Sequence, residues 1–323
     1  MILKCLRQAI QLKWLEAKRR YFPSIPLLGR VYCRNTLGND MLNMLLVKSR
    51  LQENVMKTLY GNNIEGVVFN SFNGSLVNSL SDVIVSDNLG FNGSYDKDKI
   101  LYLLSLLKPG SCVYIVGAHI GTLVVPVARF VRKVVTFEAN PSTYRLLSWN
   151  ISLNQLKNVE FYNYAIYNKQ TELSFYQNRA NTGGSKIKPV SDHFWYNYDN
   201  PAEIKVKTRI LDEFAALTEN DYPDMIIMDI EGAEYAALQG ASNCLRHARH
   251  LYIEFMPHHL SNVANITLKE FVDSIIAFFP LMSIPDEAVK GGFSIYTGDS
   301  IFEKLTEYYN RNMGVDILFL KEK

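Results

Sequence analysis

Apolar residues recur at three- and four-residue spacing through Leu3, Leu6, Ile10, Trp14, Ala17 and Tyr21, which predicts an amphipathic helix over residues 1–22, ended by Pro23 and Pro26. A second helix is expected over residues 40–60. From residue 66 to 86 the pattern shortens to strands broken by Asn-Gly and Ser, among them 67–69 and 82–85. Strand and helix signals then alternate. Strands are expected at 112–116, 134–137, 159–166, 225–229 and 251–255, and helices at 123–131, 141–154, 235–245 and 268–279. Short strands at 293–296 and 315–320 close the chain. Between residues 169 and 205 the periodicity fails, which predicts a long irregular insertion, polar and rich in aromatic rings. Strands alternating with helices imply an α/β fold whose mostly parallel sheet is covered on both faces.

Composition changes this picture little. At 48% hydrophobic and 20% charged, the 323 residues can bury a core without disulfides or metal staples. The four cysteines (Cys5, Cys33, Cys112, Cys244) are scattered and form no CxxC, which points to a reducing, cytoplasmic setting. The apolar stretch 112–131 carries Gly117, His119, Gly121, Pro126 and Arg129, so it reads as strand, turn and helix rather than a membrane span. The formal charge of +2 is divided unevenly. Residues 1–20 hold +5 and the remainder −3, too little positive charge for a nucleic-acid-tracking surface. The basic end has two readings: a helix packed on the body with a solvated face, or a weak attachment to a membrane surface or acidic partner.

The candidate chemistry gathers at strand ends. The run 113–122 (Val-Tyr-Ile-Val-Gly-Ala-His-Ile-Gly-Thr) carries a buried strand into Gly117 and Gly121, where the backbone can turn tightly and approach a ligand. Glu138 ends the next strand, 17 residues after Gly121, where an acid can accept hydrogen bonds from both ribose hydroxyls. The spacing is not GxGxxG, which argues against a dinucleotide. In Met228-Asp-Ile-Glu-Gly-Ala-Glu234 a strand delivers Asp229 and Glu231 to the same edge, while Glu234 suits a helix N-terminus. Glu254 ends the following strand, and His258 or His259 offers a base with a near-neutral pKa. Asp229, Glu231 and Glu254 are hard oxygen ligands suited to magnesium. No histidine spacing supports a zinc site, and no dedicated metal site is assigned.

Taken in order, these motifs resemble the FkbM family of methyltransferases. Residues 113–121 resemble its V-x-D-x-G-A-N-x-G, Phe137-Glu-Ala-Asn-Pro141 its F-E-P-N-P, and Asn150 with Asn154 its N-x-x-x-N. Asn181-Thr-Gly-Gly-Ser185 resembles its glycine loop, Arg209-Ile-Leu-Asp-Glu213 its T-L-D element, and residues 228–234 its K-I-D-x-E-G-x-E. Gly93-Ser-Tyr-Asp96 resembles G-x-Y-E, and the likeness covers about residues 80–256. The resemblance implies a class I methyltransferase (Rossmann-like) fold over residues 66–323, with an antiparallel strand near the C-terminus and an N-terminal helical extension over 1–65. It implies S-adenosylmethionine as methyl donor and a hydroxyl acceptor, a small molecule or glycan. By position, Gly117, Ala118, His119, Gly121 and Thr122 would line the methionine part, Glu138 the ribose, and Ala139 and Asn140 the adenosine. Asp229 and Glu231 would face the transfer; His258, read from its own place after the strand that ends in Glu254, is a further candidate base. Two positions depart: Ile115 stands where the family has Asp, and His119 where it has Asn.

The leading expectation is thus an O-methyltransferase acting on a sugar or glycan. A degenerate binding protein, suggested by Ile115, and a nicotinamide-dependent oxidoreductase are the alternatives. Phe194, Trp195, Tyr196 and Tyr198 offer rings to stack on sugar faces, or a lid fastened by its own packing.

Overall fold

Every residue of the strand Cys112–Val116 is buried, as a central strand covered on both faces requires. The computed structural model describes residues 29–191, 193–217, 221–289 and 294–322, so the helix expected over 1–22 lies outside the described residues. A 32-residue helix, Gly29–Tyr60, precedes the first strands. The strands are β1 (Gly66–Ser71), β2 (Gly74–Ser79), β3 (Cys112–Val116), β4 (Lys133–Phe137), β5 (Val159–Tyr162), β6 (Ala165–Ile166), β7 (Glu172–Gln177), β8 (Lys186–Ile187), β9 (Ala202–Arg209), β10 (Met225–Met228), β11 (His250–Phe255), β12 (Leu281–Ser283), β13 (Tyr296–Thr297) and β14 (Val315–Leu320).

Eight strands form one sheet in the order β13-β12-β14-β11-β10-β3-β4-β5. β5, β4, β3, β10 and β11 run parallel, and β14 runs antiparallel to both β11 and β12. This is the class I methyltransferase arrangement. Strand order reverses at β3: β4 and β5 lie on one side of it, β10 and β11 on the other. In open α/β sheets the crevice at the carboxyl ends of the strands flanking such a reversal is where ligands bind. Alternation along the strands feeds two cores. Tyr114 and Val116 join Phe137, Met228 and Phe255 on one face, while Val113 and Ile115 join Val134, Ile227 and Leu318 on the other. Ile115 is therefore a member of the second core.

The structure departs from the expected elements at four places. Residues 82–85 do not form a strand. Asp82 caps the short helix Val83–Asp87, its Oδ1 accepting from the Val85 N–H at 3.1 Å. The 169–205 segment is not irregular: β7, β8 and β9, with β6, form a second sheet in the order β6-β9-β7-β8. Its inward residues Phe175, Ile204 and Val206 pack together, while Glu203, Lys205 and Lys207 face outward. The helix expected over 235–245 is broken into Glu234–Gln239 and Ser242–His247. A side chain at Gly240 would meet the Tyr167 carbonyl at 2.6 Å, and Asp212 caps the second piece by accepting from the Asn243 and Cys244 N–H groups, both at 2.8 Å. The strand expected over 159–166 is interrupted, β5 pairing in the main sheet and β6 in the second.

The β1–β2 hairpin is fastened by side chains. Asn150, fully buried on the helix Pro141–Leu153, accepts from the Val77 N–H (2.6 Å) and donates to the carbonyls of Val77 (3.1 Å) and Ile120 (2.8 Å). Asn154 does the same one turn on, accepting from the Ser75 N–H (3.2 Å) and donating to its carbonyl (2.7 Å). Two amide side chains thus stand in for a neighbouring strand along β2.

Candidate active site

The crevice is built where β3 and β10 end side by side. Gly117 has φ +94°, and a Cβ there would lie 1.9 Å from the Asp229 carbonyl oxygen. No residue with a side chain fits this close approach. The turn is held from its other flank, where the Gly117 and Ala118 N–H groups donate to the Phe137 carbonyl at 3.0 and 2.9 Å. One residue further, Glu138 is buried with both oxygens engaged: Oε2 accepts from the His119 N–H and Oε1 from the Asn140 N–H, each at 2.8 Å. Burial pushes its carboxyl up to about 7, against the pull of these two bonds. Each carboxylate oxygen has a second lone pair to offer, and Glu138 lines the crevice beside Ala139, Tyr164 and Ile187.

A larger cavity of about 550 Å³ adjoins it, sharing Gly117, His119, Asp229 and Glu231 and extending past Ala118, Thr122 and Ile115. Lys99 reaches in from the helix Lys97–Leu106, 3.0 Å from Asp316 and 3.9 Å from Asp229. Burial opposes its charge, but Asp316 and Asp229 outweigh this and hold its pKa above the ordinary lysine value. The Asp229 side chain keeps 43% of its surface open to the cavity, yet enclosure by the surrounding protein pushes its carboxyl up to about 6; Lys99 pulls it down, while Glu231 and Asp316 push it up. Glu231 has φ +56°, a strained conformation for a residue with a side chain. It pairs with Lys186 at 3.1 Å and lies 3.5 Å from His259 Nε2. Glu234 accepts from the Ile230 and Gly232 N–H groups at 3.0 and 2.9 Å, clamping the loop that presents Asp229 and Glu231.

Other expected residues stand elsewhere. Gly121 is packed beneath the turn, where a Cβ would meet Leu147 at 3.0 Å. Asn140 caps the helix Pro141–Leu153 and accepts from Gln177 at 2.6 Å, its side chain outside the crevice lining. The adjacent histidines divide. His259 faces Glu231, whereas His258 lies against Trp195 and Tyr196 and lines a separate cavity of about 360 Å³ with His193 and Arg311. Burial and Lys186 lower the pKa of His258 to about 4, so it is neutral at pH 7. The oxygen set expected for a metal is also rearranged: Glu231 and Glu254 converge with His259 rather than with Asp229.

Sequence reasoning passed over Lys99, Lys186 and the pair Asp82–Thr182. His119 Nε2 lies 2.6 Å from the Thr182 hydroxyl, which donates to buried Asp82, and the Thr182 N–H donates to Asp82 as well (3.1 Å). This staples the 181–185 loop over the crevice. The only available signal was that Lys99 follows Asp96 by one helical turn and Lys186 follows the Gly-Gly-Ser loop directly.

Comparison with known proteins shows the family of the chain. The methyltransferase FkbM domain matches residues 116–284, a little over half of the chain. A 2-O-methyltransferase, NoeI of Sinorhizobium fredii, is 24% identical over 199 residues, covering 57% of this chain and 79% of that protein. Among solved structures, Trm5b from Pyrococcus abyssi superposes with a TM-score of 0.40 at 12% identity; 80% of this chain is covered, and it spans 56% of that protein's length. A TehB-like SAM-dependent methyltransferase from Corynebacterium glutamicum gives 0.40 at 9% identity, covering 74% and 95%. Among the described residues no helix is long and apolar enough to cross a membrane. The chain belongs to the FkbM family of methyltransferases.

Proposed function

We propose that the protein methylates a hydroxyl group of a sugar or glycan, using S-adenosylmethionine. The observation that carries this reading is the Gly117–Asp229 apposition, which sets a nucleoside-type acid, a glycine turn and a raised carboxyl around one crevice. The residues suit the donor. Glu138 would hold the ribose beside the apolar wall of Ala139, Tyr164 and Ile187, and the Gly117 turn would pass along the methionine part. Ile115 brings no charge there; Lys99, Asp96 and Asp316 line the same cavity and supply it. S-adenosylmethionine, when bound, supplies a methyl group on a sulfonium. Asp229, with its carboxyl near 6, is the base that takes the hydroxyl proton as the acceptor oxygen gains the methyl. S-adenosylhomocysteine is the other product.

The hydroxyl acceptor is supported by the 2-O-methyltransferase relative. A carbohydrate is supported by Phe194 and Trp195, 41% and 39% exposed, with Trp195 lining the smaller cavity, whereas Tyr196 is buried and fastened by packing. Calorimetry with S-adenosylhomocysteine, followed by transfer of labelled methyl to a panel of oligosaccharides, tests the reading. Binding with label in a sugar is expected; no heat at millimolar ligand overturns it, and binding without transfer to any sugar favours a non-catalytic protein. The same reading places the protein in the cytosol, with the basic residues 1–22 as a peripheral attachment. Deleting them should alter location and leave S-adenosylhomocysteine binding intact.

A further inference from the structure

Beyond the donor crevice, one cluster of side chains has an incomplete set of partners. Glu231, Glu254 and His259 each offer a ligand atom within 4.8 Å of the other two. His259 is 3% exposed, and its Nδ1 is buried with no hydrogen-bond partner; the same is true of Glu254 Oε2. An unsatisfied buried carboxylate oxygen such as Glu254 Oε2 is uncommon and calls for a missing partner, and the imidazole nitrogen turned toward Glu231 is Nε2, 3.5 Å away. Lys186 serves Glu231 alone, at 3.1 Å, and is itself tied to the Gly184 carbonyl at 2.6 Å.

We propose that Glu231, Glu254 and His259 bind one divalent transition-metal cation in the wall of the active-site cavity. The donor set decides the class of ion. Two carboxylates alone would suit magnesium, but a buried neutral imidazole favours the Mn²⁺ and Fe²⁺ type. With bonds of about 2.1 Å, two ligands of one ion lie at most ~4.2 Å apart. Three ligands of one ion sit closer still, ~3.0–3.6 Å apart, so atoms held within 4.8 Å of one another, with Glu231 already 3.5 Å from His259 Nε2, close on an ion with side-chain shifts of about 1 Å. The loop geometry serves the same end: Glu231 is presented in a left-handed conformation, and a Cβ on Gly232 would lie 2.7 Å from Val263, so the loop is pressed against the segment that follows His259. Glu231 and Glu254 line the cavity that also holds Asp229. A cation there would draw an acceptor oxygen toward Asp229 and make its proton easier to remove. That role rests on the methyl-transfer reading, whereas the existence of the site does not.

The test uses the full chain, stripped with chelator and titrated with Mn²⁺ alone while free Mn²⁺ is followed by electron paramagnetic resonance. One ion per chain is expected, with a nitrogen coupling to the bound ion in pulsed spectra. Glu254→Gln and His259→Gln should each weaken binding at least about tenfold, and His259→Gln should remove the coupling. Lys186→Met should tighten binding by taking away a competing cation. No binding at millimolar Mn²⁺, or a bound ion without nitrogen coupling in the unaltered protein, overturns the site. So does undiminished affinity in both glutamine variants. Mn²⁺ binding without methyl transfer supports the site and removes the methyl-transfer reading; methyl transfer without Mn²⁺ binding does the reverse.

Discussion

Replacing Gly117 by alanine tests the architecture of the crevice most directly. The new Cβ would start 1.9 Å from the Asp229 carbonyl oxygen and 2.9 Å from its carbonyl carbon. An ordinary contact needs a retreat of roughly 1 Å, and this backbone has little room to give. The Asp229 N–H is bonded to the Val116 carbonyl at 3.0 Å, and Met228 is paired with Val116 in the sheet. Alanine at φ +94° adds conformational strain of about 1–2 kcal/mol, and forcing apart a packed contact adds about 1–3 kcal/mol. The expected loss is thus about 2–5 kcal/mol, a large share of the ~5–15 kcal/mol that holds a typical protein folded. Equilibrium unfolding in urea measures it. Calorimetry with S-adenosylhomocysteine, at a temperature where the variant is still folded, should also show weakened binding, because Asp229 has been displaced. A Gly117→Ala protein within about 0.5 kcal/mol of the parent, binding the ligand normally, would refute the apposition of β3 and β10 on which the site is built.

Other expectations follow from the same geometry. Ribose hydroxyls donate to an ionised carboxylate, and the Glu138 carboxyl is raised from 4.5 to about 7, so S-adenosylhomocysteine affinity should rise as pH rises, by about tenfold from pH 6 to pH 8. Glu138→Gln should lower affinity about ten- to a hundredfold and flatten that rise; an unchanged pH profile would show the acid is not at the ribose. Asn150→Ala removes three hydrogen bonds at a fully buried position and should cost about 2–4 kcal/mol in chemical unfolding, with the β1–β2 hairpin becoming the first site of proteolysis. A loss under 1 kcal/mol would mean that the hairpin is held by other contacts. Asp229→Asn should keep ligand affinity within a few-fold while slowing methyl transfer by about 10²–10⁴; full turnover would remove Asp229 as the base.

The parallel sheet was readable because its strands are buried on both faces and therefore appear as short apolar runs, as in Cys112–Val116. The second sheet was not. In β9 the outward positions carry Glu203, Lys205 and Lys207, and the polar bulk hid the alternation of Ile204, Val206 and Thr208. Val83, Ile84 and Val85 look like a strand by their β-branching, yet Asp82 caps them into a helix while its other oxygen serves Thr182, 100 residues away. The break at Gly240 reflects the Tyr167 backbone beside it, a tertiary fact without a local signature. In the site, the acids were legible because they end strands. Lys99 and Lys186 were not, since a lysine that turns inward looks like any other on a helix or loop. Nothing in His258-His259 distinguishes the residue that meets Glu231 from the one that meets Trp195; packing alone decides.

The asparagine clasp has a consequence for how the molecule is made. Asn150 bonds to Val77 across a separation of 73 residues. A two-stranded hairpin by itself is marginal in water, so β1 and β2 emerge from the ribosome well before the helix that fastens them. At ~5–20 residues per second, that interval is about 4–15 s. The same amide holds the Ile120 carbonyl, beside the turn of Gly117. During those seconds the hairpin is an unguarded edge, and the nascent donor pocket has no fixed rim. A variant that slows docking of Pro141–Leu153 would then betray itself first as aggregation during synthesis, with the finished protein binding its ligand as before.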